Sequence, residues 1–212
     1  MEDKFNCSCG YSICIRKSVT VSMACPSCRT LYCFGNNEFI KLSTLKPITE
    51  DVSPLKINTE GVLESKEFRI TGRQQIIYNS SYRNLWSATY KSGEHFQIGE
   101  SYGTYTIIKE LSAQVSPTKF RNLKIGKEIE LPPRHFFYVN GMHEMKELAV
   151  EGDFPIPIIL QPKCLSIELS NNKFEFVIIN IFGDSDIRIS SGHFLNFEDF
   201  SFKNTRNLNE WI

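Results

Sequence analysis

Apolar and polar residues alternate with a period of two along much of the chain, the mark of strands with one covered face. Phe68-Arg69-Ile70-Thr71 sets the pattern and runs into Gly72, where a bend or bulge is expected. Gln75 to Tyr78 resumes the strand, and Asn79-Ser80-Ser81 turns it. Trp86, Ala88 and Tyr90 then share one face, with Ser87, Thr89 and Lys91 on the other. Ser92-Gly93-Glu94 has the composition of a short hairpin turn into His95-Phe96-Gln97-Ile98, and Tyr102 to Ile107 closes a set of five short strands. Strands at this spacing predict a small, strongly bent barrel or sandwich.

A second β-segment begins near Leu123. Its run Lys124 to Leu131 loosely echoes Leu55 to Val62, Pro132-Pro133 breaks it, and His135 to Val139 is strand-like. Phe154-Pro155-Ile156-Pro157 is extended, because each proline biases its predecessor away from helix. Residues 174 to 182 read as a strand buried on both faces. Helix is scarce, with Thr118 to Leu123 and Asn204 to Trp211 as two weak candidates. Phe39-Ile40-Lys41-Leu42 predicts one strand ahead of these segments, and Lys46 to Pro54, with prolines and acidic residues, reads as a linker. The expected division is residues 1–46, 55–115 and 120–212, the last two free to pack as one domain.

The chemistry is concentrated at the N-terminus. Cys7-Ser8-Cys9-Gly10 and Cys25-Pro26-Ser27-Cys28 place two cysteine pairs on turn-like sequence. Four thiolates gathered by two tight turns make a tetrahedral zinc site closed to a further ligand, the structural kind. Gly10 allows the first knuckle to close with positive φ, and Pro26 fixes φ in the second. Residues 5 to 34 therefore predict a zinc ribbon with Cys7, Cys9, Cys25 and Cys28 as ligands of a structural Zn²⁺. The chain has seven cysteines, an odd number that suits no fully paired disulfide framework, and Met1-Glu2-Asp3-Lys4 is not the start of a cleavable signal. A reducing, cytoplasmic setting is expected. Cys14, Cys33 and Cys164 are read as small buried hydrophobes.

The expected fold class is thus mostly β: an N-terminal zinc ribbon, then one or two small antiparallel β-barrel or sandwich modules, with little helix. Net charge is zero, with 24 basic and 24 acidic residues, so the chain as a whole has no general attraction to phosphate or membrane. No apolar run approaches the roughly 18 residues of a spanning helix, and no direct membrane insertion is expected.

The stretch from Leu55 to Leu111 resembles a bacterial family catalogued as a domain of unknown function (number four-one-seven-eight). Phe68-x-Ile70-x-Gly72-Arg73, Trp86 within a strand and Gly103-x-Tyr105 carry the resemblance, with a further echo in Glu151-Gly152-Asp153-Phe154-Pro155. A cysteine-rich ribbon ahead of such a domain is familiar in that family. The resemblance implies a bacterial protein with an accessory role beside membrane-associated or stress-response systems, and it supplies no activity to carry over.

Three functions compete. For catalysis, His95, His135, His143 and His193 are scattered; His143-Glu144-Met145-Lys146-Glu147 resembles a metalloprotease helix but lacks the second histidine four residues on. No nucleophile elbow, phosphate loop or dinucleotide fingerprint is present. For nucleic acid, residues 1–46 carry six basic and three acidic side chains, and four thiolates with one zinc bring the balance to about one positive charge. That is small beside the several phosphate contacts useful affinity requires. Arg16, Lys17 and Arg29 with Tyr11 or Tyr32 keep this alternative open. For a protein partner, small β-modules offer strand edges and aromatic surface. The expected function is a non-enzymatic adaptor binding another protein, with a nucleic-acid-binding ribbon as the first alternative and an enzyme of unknown reaction as the second.

Overall fold

The computed structural model describes residues 3–16, 19–78, 81–111, 120, 122–131, 135–160, 164–183 and 186–207. The protein is mostly β, and every pairing between its strands is antiparallel. The ribbon holds β1 (Asp3–Asn6), β2 (Ser12–Ile15), β3 (Ser22–Ala24), β4 (Thr30–Gly35) and β5 (Glu38–Thr44). Then come β6 (Glu60–Leu63), β7 (Lys66–Ile77), β8 (Tyr82–Tyr90), β9 (His95–Ser101) and β10 (Thr104–Leu111). The last group is β11 (Glu128–Leu131), β12 (His135–Glu144), β13 (Glu147–Phe154), β14 (Cys164–Ser170), β15 (Glu175–Phe182) and β16 (Asp186–Leu195), followed by a 3-10 turn at Phe197–Phe200.

β1 and β2 form a hairpin of their own, and the other 14 described strands share one sheet. Its path runs β11-β12-β14-β15-β16-β10-β9-β8-β7-β13-β3-β4-β5, with β6 also on β7. β12 and β13 are separated by two residues, and these change sides: Met145 N donates to Cys164 O on β14, and Lys146 N to Ile77 O on β7. The 135–154 stretch therefore joins both ends of the strand run and returns the sheet on itself. The Arg83–Glu168 ion pair links β8 to β14 across the enclosed side.

Two equivalent halves build this ring. In each, a short strand pairs with the start of a long one, and a bulge follows: Ile70/Gly72 on β7 and Val139/Gly141 on β12. Asn58 N donates to Ile70 O (2.9 Å) and Ile70 N to Thr59 O (2.8 Å); Gly126 N donates to Val139 O (2.8 Å) and Val139 N to Lys127 O (3.0 Å). Asn58 and Gly126, the equivalent turn residues, both have positive φ. β6–β10 is thus repeat 1, and β11, β12, β14, β15 and β16 are repeat 2. Each has its own apolar core, centred on Trp86, Phe68 and Ile98 in one and on Phe137, Ile167 and Ile179 in the other.

β13 is the extension of β12 that holds the ribbon. It pairs with β7 on one side and through Asp153 and Phe154 with β3 on the other. Arg16 and Thr20 both donate to the Asp153 carboxylate at 2.8 Å, and Leu31, Ala24, Phe154 and Ile158 form a separate apolar cluster there. Gly152 sits in this seam with φ +82°, where a Cβ would lie 2.2 Å from Thr71 O. Only glycine lets β13 approach β7 so closely.

Several expectations are corrected. Lys46 to Pro54 is not a free linker: Asp51 and Ser53 are buried against repeat 1, held by polar groups that the sequence pattern does not reveal. Tyr102 and Gly103 form the β9–β10 turn rather than the start of a strand, and β9 is correspondingly longer. Asn204 to Asn207 is not helical, and the rest of that candidate lies outside the described residues, as do half of 118–123 and positions 79–80 of the expected turn. The 3-10 turn at Phe197–Phe200 was not expected.

Candidate metal centre and a buried polar cradle

Each cysteine pair is positioned by a backbone knuckle. Gly10 N donates to Cys7 O (2.9 Å), with Gly10 at φ +88°, as the glycine predicts. Arg29 N donates to Cys25 O (2.8 Å) with Arg29 at φ +58°, after Pro26 has set the turn. The four Sγ atoms of Cys7, Cys9, Cys25 and Cys28 all lie within 4.8 Å of one another. Cys7 and Cys28 approach to 3.5 Å and Cys9 and Cys25 to 3.7 Å. These separations are far beyond a disulfide bond of about 2.05 Å, and all four are free thiols. The cluster is compatible with a metal ion held by four sulfurs.

The surroundings favour thiolate unevenly. Burial works against the Cys7 thiolate, but the Cys9 backbone, the Tyr32 hydroxyl and the neighbouring thiols outweigh it and bring the pKa down to about 6. Tyr32 Oη stands 3.2 Å from Cys7 Sγ and accepts from Ser8 N. Thr30, whose hydroxyl lies 3.1 Å from Cys28 Sγ, lowers the Cys28 thiol. Burial pushes Cys25 up to about 12. A cation at the centre of the four sulfurs would remove that penalty directly.

The other cysteines divide. Cys164 is buried and Cys33 half-buried, but Cys14 is exposed. β2 alternates, so Ile13 and Ile15 take the ribbon core and Cys14 faces out. An apolar neighbourhood in sequence does not bury a residue of the wrong parity. Cys14 lines a cleft of about 870 Å³ between the ribbon and repeat 1, whose charged walls are paired as Arg16–Asp153 and Arg69–Glu60.

The histidines occupy separate strand positions: His95 on β9, His135 and His143 at opposite ends of β12, and His193 on β16. His95 Nε2 lies 3.1 Å from Ser87 Oγ, and burial, aided by the charge of Arg16, lowers its pKa to about 4. His135 stands 3.6 Å from Glu175, and His143 packs on the Tyr78 ring.

A second constellation was missed by sequence reading. Arg73, fully buried on β7, pairs with Asp51 and donates to Asn84 Oδ1 at 2.9 Å. It also lies over the Trp86 ring, 4.7 Å from its centre. Asn84 Nδ2 donates to Asp51 (2.8 Å) and to Glu100 (3.2 Å). Glu100 further accepts from Trp86 Nε1 (2.7 Å), Ser53 Oγ (2.6 Å) and Tyr105 Oη (3.2 Å). Burial lowers the Arg73 pKa, opposed by Asp51, Glu151 and Glu100. Burial, then Glu100, raises that of Tyr105. Every member has a partner, the condition for a buried polar network to be tolerated.

No family model matches the chain, and no curated protein or solved structure matches it either.

Proposed function

We propose that this protein is a non-enzymatic adaptor whose N-terminal ribbon is held by a structural zinc ion and which binds another protein through the open edge of that ribbon. The donor set supports zinc. A zinc–sulfur distance of about 2.3 Å separates the sulfurs of a tetrahedron by about 3.8 Å, against 3.5 and 3.7 Å for the two close pairs. Cys7, Cys9, Cys25 and Cys28 would hold the ion, and it would supply cross-linking rather than chemistry, because four thiolates leave no open position.

The observation that carries the adaptor reading is β5. It ends the sheet path and pairs only with β4 among the described strands. Around this edge Phe34, Ile40 and Leu42 are each more than 40% exposed. Edge strands are ordinarily blunted by charge or proline, and uncovered apolar side chains on one favour pairing with a partner. Lys41 alone interrupts the run. The ribbon is joined to repeat 1 through β13, which pairs with both β3 and β7.

The test is a paired pull-down from the native host with the intact chain and with Ile40→Lys/Leu42→Lys, each eluate examined for protein and for nuclease-sensitive nucleic acid. A stoichiometric protein partner lost with the double variant supports the reading. Nucleic acid in place of protein moves the function to the ribbon alternative, for which Arg29 is the first candidate, since Arg16 is held by Asp153.

A further inference from the structure

The two repeats differ in kind at one place. By strand register, Arg73, Asn84, Glu100 and Tyr105 of repeat 1 are equivalent to Met142, Leu165, Ile181 and Ile187 of repeat 2. All four repeat-2 residues belong to its apolar core or pack against it. Among the described residues, the same strand frame is thus completed without a single buried charge. Replacing an apolar set by buried ion pairs does not by itself stabilise a fold. The polar set of repeat 1 therefore calls for a reason other than folding.

What it does in the structure is hold a peptide. Residues 49–55 cross repeat 1 without regular secondary structure. The Gln75 side chain reads their backbone, accepting from Thr49 N (2.7 Å) and donating to Thr49 O (3.0 Å). The donors of Arg73, Asn84, Gln75 and Arg206 converge on the Asp51 carboxylate. Glu100 takes the Ser53 hydroxyl, and Leu55 fills an apolar pocket with no exposure at all. Val52 between them points out, 74% exposed. Alternate side chains enter specific pockets while the backbone is bonded, as for an extended peptide ligand on a β-surface.

We infer that this face of repeat 1 is a recognition groove for an extended acidic peptide of the form Asp-x-Ser-x-Leu, filled in cis by residues 51–55 and open to the same pattern on a partner protein when that segment lifts. This rests on the adaptor reading and names a second contact for it. The intact cis segment competes at an effective concentration in the millimolar range. A trans peptide is therefore excluded from the wild-type chain except at high concentration, and the groove is seen only when the segment is weakened.

The experiment titrates a synthetic peptide of residues 48–56 into the full-length Asp51→Ala/Leu55→Ala chain by calorimetry. Saturable binding is expected, at least tenfold weaker for a peptide with asparagine in place of the aspartate, and at least tenfold weaker on the wild-type chain. Absence of binding, or equal binding of both peptides, overturns the inference. Should the double variant fail to fold, Asp51→Asn preserves shape and removes only the charge; the aspartate peptide must then displace the cis segment, and failure to do so overturns the inference as well. A partner captured through β5 with no peptide exchange sinks the groove and leaves the adaptor reading standing. Peptide exchange with no protein partner in the pull-down supports the groove and counts against the adaptor.

Discussion

Replacing Arg73 by methionine, the residue at the equivalent position of repeat 2, separates a fold requirement from a network requirement. Both Arg73 and Asp51 side chains are 1% exposed. Removing one partner of a buried pair costs about 3–5 kcal/mol, because the other charge is left desolvated. Asp51 keeps Asn84, Gln75 and Arg206 as donors, so the lower end, about 3 kcal/mol, is expected. For a chain of this length that is a fall of roughly 6–12 °C in melting temperature. The informative step is the wholesale replacement: Arg73→Met, Asn84→Leu, Glu100→Ile and Tyr105→Ile together with Asp51→Ala. Arg206 and Glu151 then lose a partner but are 26% and 39% exposed and can be hydrated. Trp86 Nε1 and Ser53 Oγ lose Glu100 as acceptor, so recovery is partial, while repeat 2 shows that the strand frame accepts this apolar set. The five-fold variant should recover at least half of the loss caused by Arg73→Met alone. Thermal and urea unfolding by circular dichroism give both numbers. A single substitution costing under about 1 kcal/mol, or a five-fold variant less stable than the single one, would refute the reasoning.

Other outcomes follow from the same structure. Cys7→Ser or Cys28→Ser should abolish metal binding and amide-exchange protection in β1–β4 while leaving protection in β7–β10 largely intact; unchanged protection in the ribbon would contradict a structural metal. Gly152→Ala should cost about 3 kcal/mol, since positive φ and a 2.2 Å approach to Thr71 O act together, and chemical denaturation measures it. His95 is held neutral in the fold by burial, below its ordinary pKa of 6.5. Its contribution is therefore complete above pH 6.5 and is lost as pH falls toward 4, on the order of 2 kcal/mol, so His95→Gln should flatten that part of the stability–pH curve. Ile40→Lys should leave stability within about 0.5 kcal/mol, as expected for an exposed position, and an unfolded variant would show that β5 is covered.

The ribbon was legible because ligand chemistry restricts spacing: two cysteine pairs, Gly10 and Pro26 leave few alternatives to a pair of knuckles. Strands were legible wherever one face is covered, as at Trp86, Ala88 and Tyr90. The bulge after Ile70 was legible from Gly72. The repeat was nearly invisible, because it is preserved in backbone turns and burial parity rather than side chains: Asn58 matches Gly126, and Arg73 matches Met142. The cradle was hidden for a related reason. Arg73, Gln75 and Asn84 look like the solvent face of a strand until the 49–55 segment folds over them. Long-range pairing also hid β13, whose role depends on β7 and β3 together. Cys14 was misjudged because composition suggested burial where strand parity decides it.

The most direct test of the adaptor account is site-specific photo-crosslinking in the native host, with a photoreactive residue at Leu42 on β5 and a control at Ile125, which is 68% exposed in repeat 2. The account predicts one discrete protein adduct from position 42, absent from position 125 and lost when Cys9 and Cys28 are changed to serine. Crosslinks to nucleic acid, or the same diffuse adducts from both positions, would contradict it.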